Sequence, residues 1–128
     1  MAWIDIVTLL AVVQLTVFSV LVGRARETYG VKAPATVGHE MFERYYRVQM
    51  NTIETLIVFL PALWISAHYW SPRWMALIGV LYLVGRVLYL RGYVSDPKKR
   101  GPGYGLSAIP TMVLIIAGLA GAIRRLLA

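Results

Sequence analysis

Apolar residues in this chain fall into four long blocks, each close to the ~20 residues that a helix needs to cross a bilayer. The first covers residues 3–23 and is interrupted only by Asp5 near its start and by Gln14. The second covers about 51–70 around the run TLIVFLPALWISA, the third about 74–90 and the fourth about 106–123. Inside a bilayer backbone N–H and C=O groups find no water, so these blocks predict spanning α-helices rather than strands or loops. Pro61 sits inside the second block, where a membrane bundle tolerates a kink. Ala117, Gly118, Ala120 and Gly121 in the fourth leave room for another helix to approach closely. Between the first two blocks the stretch 24–44 contains Pro34 and Gly38 and reads as irregular. The helical pattern resumes near Met41, so the second helix is expected to project ~10–15 Å beyond the hydrocarbon at 1.5 Å per residue. The expected fold class is therefore all-α and integral to the membrane: one domain over 1–128, a four-transmembrane-helix bundle.

Composition narrows the function classes. Charged residues make up 15% and hydrophobic residues 59%, with a mean hydropathy of +0.64. A soluble domain carries about 25% charged residues, so disordered, collagen-like and nucleic-acid-binding proteins are excluded. Thirteen Lys and Arg against six Asp and Glu give a net charge of +7. On a chain this apolar, that excess points to a membrane surface. Cysteine is absent, which excludes disulfides, thiolate metal sites and a cysteine nucleophile. The first block has no basic segment before it and is too long for a cleavable leader. The basic residues are unevenly placed. Arg24, Arg26, Lys32, Arg44 and Arg47 follow the first block, and Arg91, Lys98, Lys99 and Arg100 follow the third, whereas the other side holds Arg73, Arg124 and Arg125. This multi-pass chain is therefore expected to keep loops 24–47 and 91–105 in the cytoplasm, with both termini on the opposite side.

Polar residues at helical spacing on these helices are the candidates for chemistry. At 100° per residue Arg47, Asn51 and Glu54 fall at about 0°, 40° and −20°, one stripe running from the surface into the membrane, while Gln49 falls at about 200°. On the third helix Tyr82, Arg86, Tyr89 and Tyr93 fall within about 60° of one another, a second stripe. Such groups are costly in a bilayer and face a cavity or a partner rather than lipid. A single Tyr or Arg at the boundary also serves as an interfacial anchor. Glu54 snorkels poorly, and its alternative to binding a ligand is an ion pair with Arg86 or Arg47. Arg26, Arg47, Arg86 and Arg100 suit carboxylates. Glu54 suits an ammonium, Asn51 and Gln49 suit amides, and the tyrosines supply hydroxyls. A ligand with two carboxylates, an amine and peptide bonds matches this inventory. Glutathione has all of these and brings the thiol that the chain lacks. His39 and His68 stand apart without a ligand cluster, so no metal is expected.

The stretch ERYYRVQMNTIETLIVFLPALWISA (43–67) resembles the signature of the membrane-associated proteins in eicosanoid and glutathione metabolism, the MAPEG family. VGRARETYGVKAPATVG before it and GRVLYLRGYVSDPKKRG after it fit the same family in the same order. RxQxNxxE followed by an apolar run and then RxxYxxGY is a specific pattern. The resemblance, to the microsomal glutathione transferase and leukotriene C4 synthase branch, implies a homotrimer that binds glutathione as co-substrate at subunit interfaces on the cytoplasmic side. By the same carry-over Arg47, Asn51, Glu54, Arg86, Tyr89 and Tyr93 contact glutathione from one subunit, Arg26 and Gln49 reach in from its neighbour, and Arg100 activates the thiol. Two positions depart from that branch: Thr55 stands where the eicosanoid enzymes often have Tyr, and Glu27 follows Arg26 where leukotriene C4 synthase has a second Arg. The implied reaction is thiolate attack on a lipophilic electrophile or a lipid hydroperoxide, a transferase or peroxidase activity that detoxifies. Two other classes stay open: a non-enzymatic lipid-binding or scaffold protein on the same fold, and a small four-helix exporter. Exporters of that kind tend to place a lone acid within the first span, whereas Asp5 lies at the end of this one.

Overall fold

A computed structural model describes residues 1–128 as four helices, α1 (Ala2–Tyr29), α2 (Glu40–Tyr69), α3 (Pro72–Ser95) and α4 (Gly101–Leu127), with a 3₁₀ turn at Pro97–Arg100 leading into α4. Each of the four is long and apolar enough to cross a membrane, as the hydrophobic blocks require. The helices outrun those blocks. α1 continues through Arg24 and Arg26, because no residue there opposes a helix until Gly30. Gly30 adopts φ 70°, a left-handed conformation that suits glycine, and its N–H returns to the Arg26 carbonyl. The irregular connection is thus 30–39, much shorter than the 24–44 expected from sequence. At its far end His39 Nδ1 accepts the Met41 N–H at 3.1 Å, capping α2, and the His39 ring stacks on Tyr29 at 4.4 Å. α2 starts at Glu40, ahead of the apolar block, as anticipated, and runs unbroken through Pro61. α4 carries a second internal proline, Pro110.

The chain runs up and down four times, bringing both termini to one end. There the Arg73 guanidinium lies over the Trp3 ring at 5.7 Å, and that of Arg124 over Trp70 at 4.7 Å. The interior is apolar around Ile4, Val7, Leu56, Phe59, Leu63, Tyr82 and Leu114, with Phe59 lying flat against Tyr82 at 3.9 Å between ring centres. The exterior is apolar as well: Leu9, Val13, Val17, Val20, Ile57, Ile109 and Ile116 all point outward. In hydrocarbon the hydrophobic effect does not draw helices together, so close packing and interhelical hydrogen bonds must hold the bundle. Several such bonds bridge helices directly. Trp64 Nε1 donates to Thr8 Oγ1 at 2.9 Å, Gln14 Nε2 to the Leu83 carbonyl at 2.8 Å, and Trp70 Nε1 to the Ala117 carbonyl at 2.7 Å.

The closest packing lies between α3 and α4, the pair with the most extensive contact. A Cβ on Gly85 would come 2.6 Å from the Ser107 nitrogen, and one on Gly103 would sit on the Tyr89 backbone. These two glycines press the first turns of α4, which carry Arg100 and Tyr104, against α3 at Tyr89. Gly103→Ala is expected to force the helices apart and cost about 1–3 kcal/mol. Gly23→Ala, with nothing within 4 Å of the added carbon, should leave the unfolding midpoint unchanged or raise it. Thermal unfolding of both variants in detergent checks this, and equal responses would contradict the close α3–α4 seam.

Candidate functional site

The site is organised around a cation with no acid beside it. Arg86, midway along α3, has no exposed surface. Its Nε donates to Ser107 Oγ of α4 at 2.9 Å, and its Nη1 donates to Asn51 Oδ1 at 2.7 Å and Thr52 Oγ1 at 3.3 Å on α2. The guanidinium also lies 4.4 Å from the Tyr89 ring centre and 5.9 Å from that of Tyr82. Ser107 spends its own proton on the Gly103 carbonyl at 2.8 Å, and Thr52 spends its on the Val48 carbonyl at 2.8 Å. Both hydroxyls therefore turn lone pairs toward Arg86. Nη2 is buried without a partner. The one ion pair in the chain is Arg44 with Glu40, far from this group in sequence. Neither of the ion pairs left open for Glu54, with Arg86 or with Arg47, is made.

Engaging Asn51 Oδ1 fixes that amide, so its N–H₂ group is the part left to meet a ligand. Asn51 and Glu54 sit with Thr55, Tyr104 and Ser107 at the polar end of a groove of about 300 Å³ between α2 and α4. Thr55 Oγ1 is 3.0 Å from the Tyr82 hydroxyl, which ties the groove wall to the interior. Val58 and Ile115 close this groove and also open a second, apolar hollow of about 430 Å³ that continues between the same helices past Pro61, Ile65 and Leu119. A polar mouth thus leads into a greasy channel.

Around that mouth stand other candidates. Arg47 and Tyr93 line a hollow of about 270 Å³ with Glu40, Glu43, Arg44 and Pro97. Tyr93 lies 5.6 Å from Tyr89 between ring centres, and Tyr89 lies 6.3 Å from Tyr104. Arg44 Nη1 donates to the Val94 and Ser95 carbonyls, finishing α3, while Arg44 Nη2 holds Glu40. Arg100 is exposed, and its Nη1 donates to the Pro97 carbonyl at 3.0 Å, bracing the 3₁₀ turn. Arg26 and Gln49 are not brought to this mouth within one protomer. Arg26 Nη1 donates to the Ala35 carbonyl at 2.7 Å with its guanidinium over Phe42, and Gln49 Nε2 donates to Ser19 Oγ of α1 at 2.7 Å. For Gln49 this follows from its position about 160° from Asn51 around α2.

The structure adds Thr52, Ser107 and Tyr104 to the residues singled out from sequence. For Ser107 a signal existed: Gly103, Ser107 and Thr111 recur at four-residue spacing, a small and hydroxylated stripe, and all three are buried. Tyr104 lies outside the RxxYxxGY pattern and becomes visible only once α4 is seen against α3.

The chain is similar to known proteins over most of its length. A model of the MAPEG family matches residues 4–120. Relatives include an uncharacterized protein of Synechocystis sp., 44% identical over 117 residues that cover 91% of this chain and 85% of the relative. Microsomal glutathione S-transferase 2 of Homo sapiens is 36% identical over 115 residues, 90% of this chain and 78% of that protein. Leukotriene C4 synthase of Cavia porcellus is 38% identical over 114 residues, 88% of this chain and 76% of that protein.

The Arg86 geometry has a direct test. Asn51→Leu leaves Arg86 Nη1 with only its longer bond to Thr52 Oγ1 and is expected to cost about 1.5–3 kcal/mol. Adding Arg86→Met removes the cation itself, while Ser107 and Thr52 keep their bonds within their own helices, so the double variant should be more stable than Asn51→Leu alone. Unfolding midpoints of the two single variants and the double variant decide it. Additive losses would mean that Arg86 and Asn51 act independently.

Proposed function

The chain belongs to the MAPEG family, and from that membership we propose that it is a glutathione-dependent membrane enzyme that activates the thiol for attack on lipophilic electrophiles or lipid hydroperoxides. The observation that carries this reading is the continuity of a polar mouth with an apolar channel between α2 and α4. A water-soluble tripeptide and a bilayer-dissolved electrophile meet only where such surfaces adjoin. Glu54, exposed and free of any ion pair, is left to receive the glutathione ammonium. The fixed Asn51 amide donates to a peptide carbonyl, and Arg47 takes a carboxylate, with Tyr89 and Tyr93 walling the site. Arg86 acts on the ligand through Asn51, as a positioning residue. Arg26 and Gln49, which face away from this mouth in their own protomer, complete the site of a neighbouring copy. In this reading the copies form the homotrimer that family membership implies, with the sites on the cytoplasmic side.

Arg100 is the proposed thiol-activating group. An unaided thiol with pKa ~8.5 is only about 3% thiolate at pH 7. A guanidinium within hydrogen-bond reach lowers such a pKa by ~1–3 units. A shift of about 2 units raises the thiolate fraction to roughly three quarters, about 25-fold. Arg100 is exposed and its guanidinium makes a single bond, to the Pro97 carbonyl, which leaves it free to turn toward a ligand.

Turnover of purified protein with glutathione across a panel of electrophiles and hydroperoxides tests the reading, and saturable glutathione binding without turnover would favour a binding or scaffold role. Arg100→Ala is expected to cut turnover far more than glutathione affinity, with Arg100→Lys restoring only part because the planar fork is lost. Lacking Arg100, the thiol ionises unaided, so the variant's rate should climb with pH toward ~8.5 while the wild-type rate stays level. Identical pH–rate profiles would remove Arg100 from the mechanism. Glu54→Ala should weaken glutathione roughly 10- to 150-fold, and a glutathione analogue lacking the amino group far less. Equal losses for both ligands would give Glu54 a purely structural role.

A further inference from the structure

Arg100 and Tyr104 stand four residues apart at the start of α4, and residues at that spacing share one face of a helix, one turn above the other. The direction from Arg100 to Tyr104 is the direction into the membrane. Arg100 sits at the basic turn, whereas Tyr104 lines the α2–α4 groove together with Asn51, Glu54 and Val58. The Tyr104 ring is held from behind: Gly103 presses the α4 backbone onto Tyr89, whose ring lies 6.3 Å away and tilted by 52°. The Tyr104 hydroxyl makes no hydrogen bond within the protomer, and the residue is 47% exposed. The other hydroxyls that line the groove, those of Thr55, Ser107 and Thr111, already donate to the Thr52, Gly103 and Ser107 carbonyls, and Ala108, Met112 and Ile115 carry no acidic proton. A substrate that enters from the apolar channel and approaches a thiolate at Arg100 must pass this phenol.

We propose that Tyr104 is a proton donor to the leaving oxygen when the electrophile is a hydroperoxide, an assignment that rests on the glutathione-dependent reading above. The glutathione thiolate attacks the terminal oxygen of R–O–O–H, the O–O bond breaks, and its electron pair goes to the inner oxygen. An alkoxide is a poor leaving group in an apolar channel without water, and the phenolic proton of Tyr104 converts it to the alcohol as it departs. The sulfur becomes a sulfenic acid, which condenses with a second glutathione thiol to give glutathione disulfide and water. The proton released when the first thiol ionised returns to the tyrosinate. Two glutathiones are oxidised and one hydroperoxide is reduced. Attack on an aryl halide expels a halide ion that needs no proton, so Tyr104 should favour peroxidase chemistry over substitution.

Tyr104→Phe keeps the ring and removes only the hydroxyl. The experiment measures glutathione-dependent reduction of cumene hydroperoxide and conjugation of chlorodinitrobenzene by wild type and variant, together with the ultraviolet absorbance of bound thiolate. General-acid catalysis contributes roughly 10²–10⁴-fold, so the ratio of peroxidase to transferase rate should fall at least tenfold in the variant. A parallel loss of both activities, or a loss of thiolate absorbance that accounts for the rates, would overturn the assignment by making Tyr104 a group that acts on the thiol. A wild-type protein that conjugates but does not reduce hydroperoxide would overturn it as well. If wild type shows neither activity and no thiolate, it is the glutathione-dependent reading that fails.

Discussion

A guanidinium buried among three membrane helices with no carboxylate beside it is the constraint on which the rest of this structure depends. Removing such a charge from water costs several kcal/mol even after relaxation, and in a bilayer the cost is not relieved by solvent. Arg86 offsets it with neutral oxygens whose own protons are already committed, Ser107 to the Gly103 carbonyl and Thr52 to that of Val48, and with the faces of two tyrosines. The planar fork of arginine reaches α2 and α4 simultaneously, which a lysine could not do. One side chain thereby fixes the spacing of three helices.

The functional geometry follows from that fixation. Holding Asn51 Oδ1 turns its amide donors outward, and Glu54, less than one turn further along α2, is presented on the same face. Drawing Ser107 toward α3 requires the glycine contacts at positions 85 and 103, which in turn bring Tyr104 to Tyr89, one turn beyond Arg100. The same approach of α4 shapes the groove that leads from this polar cluster into the apolar hollow near Ile65 and Leu119. The polar mouth and the apolar channel thus arise from one packing solution.

Much of this was legible before any coordinates. Four helices follow from apolar blocks of bilayer length, because the membrane leaves the backbone no other way to satisfy its hydrogen bonds. The stripes on α2 and α3 were legible because 100° per residue holds in any α-helix, and the Arg86–Asn51 bond joins them. What stayed hidden depended on contacts between helices. Helical periodicity cannot say whether Arg86 meets Glu54 or a set of neutral oxygens, since both lie within reach of a flexible side chain. The partners of Arg26 and Gln49, Ala35 and Ser19, belong to the α1 side of the bundle and carry no motif. Hydropathy understates the length of α1 because it marks where the hydrocarbon ends, whereas Gly30 marks where the helix ends.

The central claim is that the mouth of the α2–α4 groove holds glutathione as its thiolate. Ultraviolet absorbance recorded while glutathione is mixed with the purified protein in lipid, near neutral pH and without any electrophile, tests it most directly. The account predicts a thiolate signal that saturates with glutathione and is matched by release of one proton per site filled. Saturable glutathione binding with neither thiolate absorbance nor proton release would contradict it.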